Sequence, residues 1–213
     1  FKANADRSQT RLAINSNLGS KPDLIDRLCQ AREHLPSLDV YTSCEATDLS
    51  AEYIRDGLDW NQWWANVLQL HHQHIQTHCM MTINALCLPT LPDLIQRILD
   101  QRTQLDTLEL AVFSLNILRF PSFQSPLVLP LDIRTQAAER LSQLDQSLMH
   151  EFEVGQLTRL TEYLVVQETP HQAAFEMPKL HNDFKQFYTQ YDARRGKDFS
   201  RAFPQLNDWY STL

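Results

Sequence analysis

Four short apolar runs recur along this chain, each stopped by small polar residues and separated from the next by a helical pattern. The runs are residues 11–14 (RLAI), 38–42 (LDVYT), 79–83 (CMMTI) and 108–113 (LELAVF). Their length and their turn-forming stops read as strands. A helix over about residues 21–34 follows the first run, with Ser20 as N-cap and Pro22 and Asp23 in its first turn. Leu24, Leu28 and Leu35 form its apolar stripe, with Ile25 and Ala31 beside it, and Pro36 stops it. Beyond the second run a long connection leads to Asn61. Trp60, Trp63, Trp64, Val67, Leu68 and His71 then keep i, i+3, i+4 spacing and predict a second helix. Residues 91–102 predict a third, buried through Leu94, Ile95, Ile98 and Leu99. Strand and helix in alternation mean βαβ units, a parallel sheet and right-handed crossovers. The strands read as apolar on both sides, as when helices cover a sheet.

The grammar changes after Phe120. Pro121, Pro126 and Pro130 interrupt the chain around a short apolar stretch, and helices are predicted over about 134–150, 155–166 and 180–194. The expected organisation is an α/β part over residues 1–120 and a mainly helical C-terminal extension over 121–213.

Composition excludes several classes. Lys and Arg number 19 against 26 Asp and Glu, a net charge of −7, which argues against nucleic acid as a partner. No apolar run approaches the roughly 20 residues that span a bilayer, so no membrane association is expected. No signal peptide is visible. Four scattered cysteines do not make a disulfide framework, and a reducing cytoplasmic location is expected. With four glycines in 213 residues, neither a G-x-G-x-x-G turn nor a P-loop can be written.

Ligands of parallel α/β sheets bind outside the carboxyl ends of the strands. There the first predicted strand meets Asn15, Ser16 and Asn17, the second Ser43, Cys44 and Glu45, and the third Asn84; Ser114 and Asn116 follow the fourth. Such groups pair with hydroxyls, amines or carboxylates, although Asn and Ser also end strands simply by making turns. Arg55 can grip a carboxylate bidentately, or pair with its sequence neighbours Glu52, Asp56 or Asp59. His71, His74 and His78 hint at zinc, but a helix ending before His78 and the lack of H-E-x-x-H spacing favour a solvated helix end. The tryptophans read as helix packing. Cys44 has only Glu45 beside it as a base.

The succession LAINSNLG (12–19), YTSCEA (41–46), AEYIRDGLDW (51–60), WWANV (63–67) and TINAL (82–86) resembles the radical SAM superfamily, and most closely its twitch-domain-containing group. LRFPSF (118–123) and the segment 183–206 resemble it too. The resemblance implies a partial (βα)6 barrel of which this chain holds the third to sixth strands. It implies S-adenosylmethionine as cofactor, a [4Fe-4S] cluster, 5′-deoxyadenosyl-radical chemistry on an unknown substrate, and an electron donor such as a flavodoxin or ferredoxin. Asn15, Ser16 and Asn17 would face the cofactor. Ser43 and Glu45 match a position that contacts its ribose or its methionine carboxylate. Arg55 matches an arginine that steadies that carboxylate, and Asn84 matches a ribose contact. The sequence holds no Cys-x3-Cys-x2-Cys and no Gly-Gly-Glu. The expectation is therefore a C-terminal part whose cluster is bound upstream, inactive on its own and weakly stable or self-associating. Two rivals remain at this stage: a non-catalytic α/β interaction module, and an ordinary α/β-barrel enzyme using Glu45 with a histidine.

Overall fold

Strands β1 (Arg11–Asn15), β2 (Ser37–Thr42), β3 (Gln76–Ile83) and β4 (Val112–Ile117) pair in parallel, in the order β1-β2-β3-β4. The computed structural model describes residues 10–19, 22–167 and 176–213. The Ser20 cap and the start of the first helix at Lys21 lie outside the described residues. The helices are α1 (Pro22–Arg32), α2 (Asp48–Ile54), α3 (Trp60–His72), α4 (Leu91–Leu105), α5 (Leu131–Ser142), α6 (Glu151–Leu164), α7 (Met177–Arg195), α8 (Phe199–Ala202) and α9 (Asn207–Thr212). Among the described residues, none is long and apolar enough to cross a membrane.

The expected α/β architecture is present, with three corrections at the element level. The fourth strand lies at Val112–Ile117, not at 108–113. Leu110 and Ala111 are fully buried, but Ala111 has φ +47° and breaks the extended backbone. Arg102 donates to the Leu110 carbonyl (3.0 Å) and Thr77 accepts the Ala111 N–H (3.2 Å), so this part of the apolar run is a pinned turn. As a consequence Ser114 and Asn116 belong to β4 rather than following it. The presumed connection after Glu45 contains α2, held by distant partners: Tyr53 donates to Asp192 (2.6 Å) and Ser50 to the Ala202 carbonyl (2.8 Å). The predicted helix 134–150 ends at Ser142, and α6 starts early, at Glu151, where the Glu153 carboxylate accepts the His150 N–H (2.9 Å).

A fourth correction concerns the sheet itself. In sequential order, right-handed crossovers carry every connecting helix to the same side. Side chains alternate accordingly. Leu38, Val40, Cys79, Met81, Ile83, Phe113 and Leu115 are buried on one face. Their neighbours Asp39, Tyr41, His78 and Ser114 are half-buried on the other, where Met80, Thr82 and Asn116 are exposed. The strands are thus apolar on one side only, and the residues of the second face are half-buried or exposed.

The two sheet edges also differ. At β4 the Phe113 N–H donates to Glu153 (2.8 Å), and Arg159 donates to the Leu115 carbonyl (2.5 Å). Helix α6 thereby closes that edge with side chains. Beyond β1 no further strand pairs among the described residues. One hydrophobic cluster runs from Leu18 and Ile25 through the covered face to Phe184, Phe203 and Tyr210, so the C-terminal helices share the core of the sheet.

Candidate functional site

At the carboxyl end, β3 runs beyond β2: Thr42 is opposite Cys79, and Thr82 has no β2 residue facing it. The chain after β2 turns back, and the Glu45 carboxylate accepts the Thr82 N–H (3.2 Å) where a strand would have done so. Arg55, at the C-cap of α2, grips the same carboxylate bidentately: Nε donates to Oε2 (2.8 Å) and Nη2 to Oε1. The Glu45 side chain is 2% exposed and that of Arg55 29%, so the pair sits at a rim with its cation touching water. Burial opposes the Arg55 charge, and the Glu45 carboxylate outweighs it, so the guanidinium pKa stands above its ordinary value.

This corrects the sequence reading of Arg55, whose partner is none of its three neighbours. Asp56 is taken by Arg195 (2.7 Å) and Lys197 (3.1 Å), Glu52 accepts the Trp60 N–H, and Asp59 accepts the Gln62 N–H at the start of α3. With Nε and Nη2 on Glu45, Nη1 is the arm of Arg55 left to meet a ligand.

Asn84 follows β3 directly. Its side-chain oxygen accepts the N–H groups of Leu86 (2.9 Å) and Cys87 (3.2 Å), which makes it a turn-former; its amide nitrogen makes only a long contact (3.4 Å) to Thr82. At β1 the turn reading holds for two of three residues: Ser16 accepts from Leu18 and Asn17 from Gly19, both at 3.1 Å. Asn15 is exposed at the end of β1, and Ser43 is half-buried after β2. The structure therefore joins Glu45 and Arg55 at the end of β3, next to Asn84. Asn15, Ser16 and Asn17 stand apart, at the far side of the sheet.

The cysteines are not poised as nucleophiles. Burial pushes the Cys44 thiol up to about 12 and raises those of Cys79 and Cys87 as well. The three histidines do not share a helical face, since α3 ends at His72, His74 has a positive φ and His78 lies in β3. Among the described residues, no group of three or more His, Cys, Asp or Glu is arranged to hold a metal ion.

Sequence reasoning weighed His78 only with its neighbouring histidines and did not pair it with Tyr41. The two face each other across β2 and β3 on the less buried side of the sheet, rings stacked at 4.6 Å and 18°. The period-2 alternation of β3 held the signal, but the neighbouring histidines drew His78 into a helical count. No family model, curated protein or solved structure matches the chain.

Proposed function

We propose that this chain is the C-terminal part of a radical SAM enzyme, in which the carboxyl rim of the sheet contacts S-adenosylmethionine. The observation that carries the reading is the Glu45–Arg55 pair, set at the end of β3 by the segment with the family-like residue series. The sequential strand order with helices on one side supports a barrel segment, as (βα) barrels are built this way. Arg55 Nη1 suits a ligand carboxylate, while the Ser43 hydroxyl and the Asn84 amide nitrogen suit ribose hydroxyls. When bound, S-adenosylmethionine and a [4Fe-4S] cluster would supply hydrogen-atom abstraction from a substrate, with a flavodoxin- or ferredoxin-type protein as electron source. Buried, high-pKa thiols such as Cys44, Cys79 and Cys87 do not fit a cluster, so the reading assigns the cluster to a segment upstream of Phe1.

The test is the coding sequence in frame before Phe1. Cys-x3-Cys-x2-Cys followed by Gly-Gly-Glu is the expected result. A start codon with neither motif before Phe1 would overturn the proposal.

A further inference from the structure

The helical C-terminal part holds an open cavity of about 490 Å³ that shares no residue with the rim. It is lined by the chain just past β4, the turns at 122–128, the end of α6 and the start of α7. One wall is polar and preset. The Ser125 hydroxyl meets the Tyr163 hydroxyl at 3.3 Å and accepts the Leu127 N–H, which fixes the phenol. The Arg119 guanidinium lies over that ring, 5.9 Å from its centre. Glu176, the residue before α7, lines the same cavity. Arg119 and Glu176 are the two charges of this lining. Among the described residues neither side chain makes an ion pair or a hydrogen bond, with the other or with any third group. Leu127, Val128, Met177 and Leu180 make the apolar wall.

Size and charge together decide what such a cavity can hold. Its volume suits a small molecule rather than a chain segment of any length. A purely apolar ligand would strip water from Arg119 and Glu176 and give nothing back. A simple carboxylate would satisfy Arg119 and face Glu176 as a like charge, and a simple amine would do the reverse. A ligand with one carboxylate, one ammonium and an apolar body satisfies all three walls. We propose that this cavity binds a free α-amino acid with a large apolar side chain. Arg119 takes the carboxylate, with the Ser122 hydroxyl as a further donor, and Glu176 takes the ammonium. The side chain lies against Leu127, Val128, Met177 and Leu180. Every residue of the site lies past β4, so the assignment does not rest on the radical reading of the rim.

Methionine-methyl NMR reads the cavity through Met177, whose resonance is assigned from the spectrum of Met177→Leu. The chain is used at constant pH without iron or S-adenosylmethionine. Leucine and phenylalanine are the probes; isocaproate is leucine without its ammonium, and isoamylamine is leucine without its carboxylate. A saturable shift of the Met177 methyl with at least one amino acid is expected. Arg119→Gln and Glu176→Gln should each weaken it roughly tenfold. Both side chains are exposed, so neither change disturbs the core. Glu176→Gln should also erase the advantage of leucine over isocaproate, because the ammonium then has no anion to meet. No shift with either amino acid up to its solubility limit would overturn the site. Isocaproate or isoamylamine binding the wild type as tightly as leucine would overturn the ligand class, and an unchanged affinity in either variant would overturn the role given to that residue. None of these failures bears on the radical reading, which the upstream coding sequence decides separately.

Discussion

Arg102 and Glu153 have no exposed side-chain surface, and they touch at 2.7 Å in a second bidentate grip. Arg102 also donates to the carbonyls of Leu110 and Leu148, and Glu153 accepts the N–H groups of Phe113 and His150. The pair thus ties α4, the turn before β4, β4 itself and the start of α6 together. Two desolvated charges are not in themselves a stabilising choice, but removing one leaves the other stranded. Glu153→Gln keeps the shape and removes the negative charge, and urea unfolding should report a loss of about 3–5 kcal/mol. A loss below about 1 kcal/mol would mean that water reaches Arg102 once its partner is neutral. The Glu45–Arg55 pair differs in kind. Its cation is 29% exposed, so a ligand can reach it without unfolding anything.

At the scale of elements, the end of α4 offers a cleaner measurement. Asp106 closes that helix in the left-handed region (φ 49°, ψ 52°), its backbone N–H bonded to the Arg102 and Thr103 carbonyls. A side chain there costs strain that glycine avoids, and the backbone bonds survive the change. Asp106→Gly should therefore raise the urea midpoint, with a net gain of about 0.5 kcal/mol at unchanged slope. A lower midpoint would show that Asp106 is not strained. How far elements could be read from sequence follows the same physics. The helices α3 and α4 were legible because long apolar stripes face the sheet. Helix α2 was not, because it has seven residues, one large buried side chain (Tyr53), and anchors at Asp192 and Ala202 far along the chain. The shift of β4 came from one backbone angle at Ala111 that no apolar pattern encodes. In the candidate site both Glu45 and Arg55 were visible as candidates. Their mutual grip was not, since it depends on distant cations occupying Asp56 and on helix ends engaging Glu52 and Asp59.

The whole molecule is asymmetric in how it treats its sheet. One edge is closed by Glu153 and Arg159, and the covered face is filled by helices. The β1 edge has no pairing strand among the described residues, and β1 is the least buried strand, with its side chains exposed or half-buried. An unpaired strand edge is a template for another strand, and natural proteins usually blunt such edges with lysine, proline or a bulge. Arg11 at the start of β1 is its one charge, and Asp39 answers it. A net charge of −7 on 213 residues opposes association only weakly at physiological salt, where the screening length is about 8 Å. The chain as given should therefore self-associate through β1, with a mass in analytical ultracentrifugation that rises with concentration. Ala13→Lys sets a charge on the exposed side of that strand and should return the chain towards monomer, with its far-UV circular dichroism unchanged. A monodisperse wild-type monomer with a sharp thermal transition would count against the argument: it would mean that this edge is already satisfied within the chain. If instead a longer product of the same gene is monomeric while this chain associates, the β1 edge is where the additional segment pairs.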